Sequence, residues 1–356
     1  MRIVGRLLWP DGLFAPGWID VDGGRVVARE RGGRGTDLIV PGLCDLQVNG
    51  AAGVDVTQGD EALATIDSAM LDAGVTSYLA TVMTTDDESA ARAVRSAEER
   101  TVDEDSPLEG IHLEGPFLSP SLPGTHRREH LRIPADGIPP HFASPALRLV
   151  TLAPELAGGL DLARELVAGG VVVSIGHSDA DPELADSVPA RKVTHIFNAM
   201  RQPHHRRPTL PVWALTARVA IGVIPDGIHL DPLVLRLVRR AAGDRVVLVS
   251  DASPAAAAPP GRYSLQGVAI ERVGDECRNA DGALAGSAIT QDEGVRRWAH
   301  FTGAELGEAL LAASVRPARL ARIGGALELG DPADLVVVDG AGVVLRVMRR
   351  GRWIRG

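Results

Sequence analysis

Eight short apolar runs, most of them separated by helix-like stretches, constrain this 356-residue chain more than any other feature. They lie near 43–48, 76–83, 108–113, 147–152, 171–175, 192–196, 218–224 and 245–250. The stretches between them include Glu61–Ala73, Asp86–Arg100, Leu156–Ala168 and Pro232–Ala242. Such alternation implies a parallel sheet, and eight units over roughly 250 residues imply a (β/α)₈ barrel of the TIM type. No long helix is expected between runs five and six, or between six and seven.

The two ends of the chain have a different texture. Residues 1 to about 40 (MRIVGRLLW, GWIDVDG, GRVVARE, DLIV) read as short strands broken by Gly, Pro or Asp. They are too few to close a core alone. ADLVVVDG (333–340) and GVVLRVMRRGRWI (342–354) offer the missing partners. Residues 1–41 and 326–356 are therefore expected to form one small β-sandwich, with the barrel inserted at 42–325. The loop-rich stretch 253–289 is expected to carry a small β excursion. Two helices, about 291–301 and 305–321, then lead back to the sandwich.

Composition narrows the class. At 45% hydrophobic residues the chain can bury a full core. A net charge of −9 with no long basic run argues against nucleic acid as a partner. Two cysteines and no CxxC pair point to a reducing compartment. No stretch has the apolar length of a signal core or a membrane span, so a cytoplasmic protein without a membrane partner is expected.

Barrel enzymes place their chemistry at the C-terminal ends of the strands. Those ends carry Gln47 and Asn49 (first), Glu114 (third), His177 (fifth), His195 (sixth), Asp226 and His229 (seventh) and Asp251 (eighth). Glu114 closes the run HLEGP at 112–116, and a charge at the mouth of a buried strand is costly unless something binds it. Glutamate with two histidines is a common catalytic-metal set. Singly, Glu114 reads equally as a helix cap or an arginine partner, His177 as a neighbour of a helix cap, and His195 as a core imidazole. On three strand ends of one barrel they point together to a divalent ion. His112 shares the face of Glu114 and reads as its hydrogen-bond partner. Asp251 is either a helix cap or a general base that later acts as acid. His126, in PGTH, is either an exposed loop residue or part of the site. Arg206, in HHRRP, is either solvated or an anion contact.

In chain order, PGLCDLQVNG, HLEGPFLSP with GTH, SIGHSDA, THIFNAM, HHRRP, DGIHLDP, LVSDA, GALAGS and GDPADLVVVD are present. With these motifs the chain resembles, over nearly its full length, the N-acetylglucosamine-6-phosphate deacetylase family of the amidohydrolase superfamily. The resemblance implies a metal-dependent barrel with a β-sandwich from both termini, acting on a phosphorylated amino sugar. It implies that Glu114, His177 and His195 hold one divalent metal, zinc first, with iron, manganese or cobalt as alternatives. Gln47 and Asn49 stand where many amidohydrolases have an HxH metal pair. Asp251 would be base and acid, and His126 would polarise the acetamide carbonyl. Thr125, Asn198, Ala199, Asp226, His229 and the wall Leu284, Ala285 and Gly286 would hold the sugar. Arg206 would bind phosphate in a neighbouring subunit's site, making a homodimer. Departures are Arg207-Pro208-Thr209 where the family has a Pro-Gly turn, Asp231 for a second histidine, Ala51 and Ala52 for glycines, and Trp213, expected near the phosphate end. Another N-acyl sugar phosphate as substrate, or a barrel that only binds, are the alternatives.

Overall fold

The computed structural model describes residues 1–355. Its centre is an eight-stranded parallel sheet in strict sequence order. The strands are Leu43–Val48, Val75–Met83, Leu108–Glu114, Leu147–Leu152, Val172–Ile175, Lys192–Val193, Ala220–Val223 and Val246–Leu248. The first two are buried along their whole length, which is why they read as mostly apolar runs without alternation, with Asp45 and Gln47 as buried polar exceptions in the first. A parallel bridge from Val48 to Ala252 brings the eighth strand's end to the first. At that seam the buried Asp45 carboxylate accepts Ser250 N at 3.2 Å, a side chain standing in for ladder carbonyls.

Strand ends six to eight leave the ladder earlier than the apolar runs suggest. After Val193 the backbone turns at His195 (φ 24°), while Ile196 N still bonds Gly222 O at 2.9 Å. Regular pairing is given up where a side chain must be delivered to the barrel mouth.

The outer helices follow from apolar spacing and caps. In Asp87–Arg100 the buried residues are Ala90, Ala93, Val94 and Ala97, one stripe facing the strands. Asp86 caps it by accepting Ser89 N at 2.9 Å. The connections after strands five and six hold only the short helices Pro182–Ser187 and Leu210–Thr216. The helix expected over 305–321 is two helices, Leu306–Ala313 and Val315–Ala321. They break at Ser314 (φ −131°, ψ −83°), whose hydroxyl donates back to Leu310 O at 2.6 Å. The second helix lies under the barrel, packing Ala318 and Leu320 against the interior residues Leu46, Leu149 and Val247.

Both termini build one seven-stranded sheet, Arg2–Leu8, Phe14–Asp22, Arg25–Arg31 and Leu38–Pro41 joined by Leu335–Val338, Val344–Arg349 and Arg352–Arg355. Its apolar cluster draws on both ends, with Leu7, Ile19 and Ile39 beside Leu335, Val337 and Met348. Buried Arg349 ties this sheet to the barrel by donating to Thr76 O (3.2 Å) and pairing with Asp334 (3.6 Å). A three-stranded antiparallel excursion, Gly261–Leu265, Val268–Val273 and Glu276–Asn279, leans over the barrel mouth. Its turn residue Gln266 is inserted there, accepting Met83 N and donating to Thr81 O, both at 2.8 Å. Among the described residues no helix is long and apolar enough to cross a membrane.

Candidate metal centre

Glu114, His177 and His195 arrive from the third, fifth and sixth strand ends and meet. Glu114 Oε1 lies 3.0 Å from His195 Nε2 and 3.4 Å from His177 Nε2, and the two Nε2 atoms are 3.2 Å apart. All three residues are buried. His177 Nδ1 lies 3.0 Å from Leu122 O. A carbonyl only accepts, so that nitrogen carries the proton and Nε2 turns a bare lone pair toward the cluster. Burial keeps His195 below its ordinary pKa and therefore neutral. One carboxylate and two imidazole lone pairs converging in a buried space are a donor set that could hold one divalent ion.

The neighbours of the cluster are fixed by other strand ends. Gln47 Nε2 sits 3.3 and 3.4 Å from the two Glu114 oxygens. Asn49 Nδ2 donates to Asp251 Oδ1 at 2.8 Å. Burial first, and the charge of Glu114 second, raise Asp251 to about 7. His126 is buried, and its Nδ1 accepts Thr84 N at 3.2 Å. Its proton must then be on Nε2, which faces Glu114 Oε2 at 3.8 Å. Burial holds its pKa near 3, so this is a neutral N–H donor aimed into the site.

His177, His195, Phe197, Ala199 and Asp251 all have positive φ. Non-glycine residues pay about 1–3 kcal/mol for such backbone, which persists where surroundings impose it and clusters at functional sites. Gly124 also has positive φ (57°), and a Cβ there would lie 3.0 Å from His177 Cε1.

A pocket of about 210 Å³ opens on the cluster. Asn49, Glu114, Thr125, His126, His177, His195, Asn198, Ala199, His229, Asp251, Leu284 and Gly286 are among the residues that line it. The remaining expected residues stand elsewhere. Ala285 packs away from the pocket with Met83, Leu265 and Ile270. Asp226 spends its carboxylate on the protein, accepting Ile228 N (2.8 Å), His229 N (2.9 Å) and His229 Nδ1 (2.6 Å). Burial lowers the pKa of His229, but the bond to Asp226 and its charge outweigh that and raise it. The hydrogen bonds of His112 go to Leu46 O (3.1 Å) and Thr151 Oγ1 (2.8 Å), outside the three-residue cluster. Arg206 lies in the exposed stretch 201–208, and no Arg or Lys is among the pocket-lining residues described. Trp213 does not line the pocket: it is buried in Leu210–Thr216, its indole donating to Asp186 at 2.6 Å.

Sequence reading missed Thr84 and Met83 at the end of the second strand, although the strand-end rule applies there as well. It also missed Asn279, whose Nδ2 reaches Thr125 Oγ1 at 3.2 Å from the excursion. No local pattern announces that contact.

The profile of the amidohydrolase family matches residues 38–354. The chain is 36% identical over 359 residues to the human N-acetylglucosamine-6-phosphate deacetylase, covering 94% of this chain and 86% of that one. It is 34% identical over 338 residues to the N-acetylgalactosamine-6-phosphate deacetylase of Escherichia coli O157:H7, covering 91% and 88%. A solved structure of a mutant N-acetyl-D-glucosamine-6-phosphate deacetylase from Mycobacterium smegmatis, in complex with N-acetyl-D-glucosamine-6-phosphate, superposes with a TM-score of 0.91 at 31% identity. That superposition covers 100% of this chain and 99% of the other.

Proposed function

The chain belongs to the amidohydrolase family, among the N-acetylglucosamine-6-phosphate deacetylases, and from that premise we propose how its own residues carry out the hydrolysis. It removes acetate from N-acetylglucosamine 6-phosphate and leaves glucosamine 6-phosphate, an amide hydrolysis within amino-sugar metabolism. The observation that carries this reading is the meeting of Glu114, His177, His195, His126 and Asp251 in one pocket.

Glu114, His177 and His195 would hold one divalent ion, zinc first and iron, manganese or cobalt as alternatives. Such an ion, when bound, lowers the pKa of water toward neutrality and polarises a carbonyl. Asp251, held by Asn49, takes the proton of the attacking water. The neutral His126 donates its Nε2–H to the oxygen that becomes negative in the tetrahedral intermediate. An amine cannot leave as an anion, so Asp251 returns its proton to the departing nitrogen. His229, its Nδ1–H engaged by Asp226, presents its other nitrogen to a sugar hydroxyl. Thr125, Asn198 and Ala199 shape one side of the sugar subsite, and Leu284 with Gly286 the other.

The phosphate needs a cation that the lining residues of one chain do not supply. Arg206, exposed at 201–208, would provide it to a second copy, so the active form is a homodimer. A cytoplasmic place is supported by two free, buried cysteines, Cys44 and Cys277.

The decisive experiment is metal analysis of the purified protein beside acetate release from N-acetylglucosamine 6-phosphate. Stoichiometric metal with release is expected; metal-loaded protein that releases none sinks the reading. A second reading, the galactosamine epimer as substrate, is favoured by the Escherichia coli relative. Comparing kcat/KM on the two epimers separates them.

A further inference from the structure

Two walls of the pocket come from segments far apart in sequence. One is the loop Gly124–His126 after the third barrel strand. The other is Ala283, Leu284 and Gly286, just beyond the last excursion strand Glu276–Asn279. A single side-chain contact crosses between them, Asn279 Nδ2 donating to Thr125 Oγ1 at 3.2 Å. Asn279 itself is not among the pocket-lining residues described.

The rest of Asn279 builds the turn that carries the second wall. Its backbone N–H donates to Ala283 O (2.9 Å) and its carbonyl accepts Gly282 N (3.0 Å). Its side-chain Oδ1 accepts Asp281 N (3.1 Å) and Ala283 N (2.9 Å). Two N–H groups can donate only to the oxygen, so the amide atom that faces Thr125 is the nitrogen. A turn of this kind needs the oxygen alone, and an aspartate supplies it equally well. What asparagine adds is the donor, and that donor is spent across the pocket.

Both ends of the tie are anchored. Besides its side-chain bonds to the second barrel strand, Gln266 of the excursion donates its backbone N–H to Asp55 Oδ2 at 2.9 Å. Beside Asn279, Ala285 N donates to Cys277 O at 3.0 Å. On the other side Thr125 immediately precedes His126, whose Nδ1 meets both Thr84 N (3.2 Å) and Thr84 Oγ1 (3.0 Å). Thr84 thus fixes the His126 ring at one nitrogen. The main chain that carries the ring is fixed next door, at Thr125.

We propose that Asn279 is a positioning residue for the hydrolysis: its amide holds the Gly124–His126 loop against the opposite wall and so keeps His126 Nε2–H aimed at the carbonyl oxygen. It acts through Thr125 and His126. The inference rests on the role given above to His126. A donor to a developing oxyanion works only when its direction is set beforehand, so loosening its loop is felt in the transition state rather than in binding.

The test is steady-state acetate release from N-acetylglucosamine 6-phosphate by the metal-loaded enzyme. Asn279→Ala is expected to lower kcat roughly tenfold with KM within about twofold of wild type. Thr125→Val removes the other half of the tie, leaves the turn at 279–283 intact, and is expected to lower kcat by a similar factor. The double variant is expected to be no slower than the slower single one, because both changes delete the same bond. Wild-type kcat in Asn279→Ala overturns the proposal, as does a change confined to KM, or a double variant in which the two losses multiply to roughly a hundredfold. Should the turn fail to fold in Asn279→Ala, Thr125→Val decides alone, and its turning over at the wild-type kcat overturns the proposal. Failure of the underlying reading looks different, since His126→Gln then works at the wild-type rate.

Discussion

The pocket has two ends built on opposite principles. At the proposed metal end four of the five side chains given a task are held by a second group from elsewhere in the chain, while His195 Nδ1 has no partner among the described residues. Gln47 holds Glu114, Asn49 holds Asp251, Thr84 holds His126, and Leu122 O fixes the proton of His177. At the far end the walls include Ala199, Leu284 and Gly286, and the cationic residues Arg201, Arg206 and Arg207 lie on an exposed loop and are not among the lining residues described. Chemistry is organised within one chain, whereas recognition of a charged ligand is left open. Rate depends on sub-ångström placement, so rigid support belongs at the metal end. Binding a phosphate needs a strong donor fork and tolerates delivery by a loop.

The largest expected effect falls on the rigid end. Asp251→Asn should lower kcat by roughly 10³–10⁴-fold while metal content stays at the wild-type level. Retained turnover removes Asp251 from the reaction and erases the contrast between the ends. The same variant probes the cost of holding a carboxyl there. Burial and Glu114 raise Asp251 to about 7, against an ordinary value of 3.8. A raised carboxyl favours the folded state when protonated, so that stability is complete below about pH 4 and is lost as pH rises through 7. In the metal-free protein, denaturant titrations at pH 4 and pH 8 should show the wild type losing up to about 4 kcal/mol relative to Asp251→Asn. Parallel pH dependence of the two proteins refutes the raised value.

A smaller effect is expected from the supports. Asn49→Ala removes the donor to Asp251 Oδ1 without touching the metal cluster. Losses of roughly 10–100-fold in kcat, with KM nearly unchanged, are expected of such an orienting partner. A change confined to KM places Asn49 on the substrate instead.

Much of this division is legible in the residues themselves, for physical reasons. Strands buried on both faces must be mostly apolar, so the barrel strands stand out as short apolar runs with few polar interruptions. Charged or imidazole side chains at their ends are conspicuous because they are costly there without a ligand. The supports are harder to find. Thr84 meets His126 with both its backbone N–H and its hydroxyl across 42 positions of sequence, and Asn279 reaches Thr125 across 154. Asp226 looks like a substrate contact until its oxygens are seen to be filled by Ile228 and His229. The direction of Ala285 and the break at Ser314 depend on packing partners that no local pattern records.

On the open end, Arg206→Ala should raise KM for the phosphorylated sugar by roughly tenfold, the size of a lost charge-assisted contact. KM for the unphosphorylated sugar should stay put. An equal change on both substrates removes Arg206 from the phosphate and leaves the far end without its cation.

The smallest expected effect concerns Trp213, which sequence places near the phosphate and structure places in the scaffold. Its indole is 8% exposed, and its N–H is taken by Asp186 across two short helices. Trp213→Phe keeps an aromatic ring and deletes that hydrogen bond, so a stability loss of about 1 kcal/mol is expected in denaturant unfolding. kcat/KM for N-acetylglucosamine 6-phosphate should remain within about twofold of wild type, because no pocket-lining atom has changed. A selective rise in KM for the phosphorylated sugar would instead mean that Leu210–Thr216 sets the position of the Arg206 loop, and the far end would then be as firmly supported as the metal end.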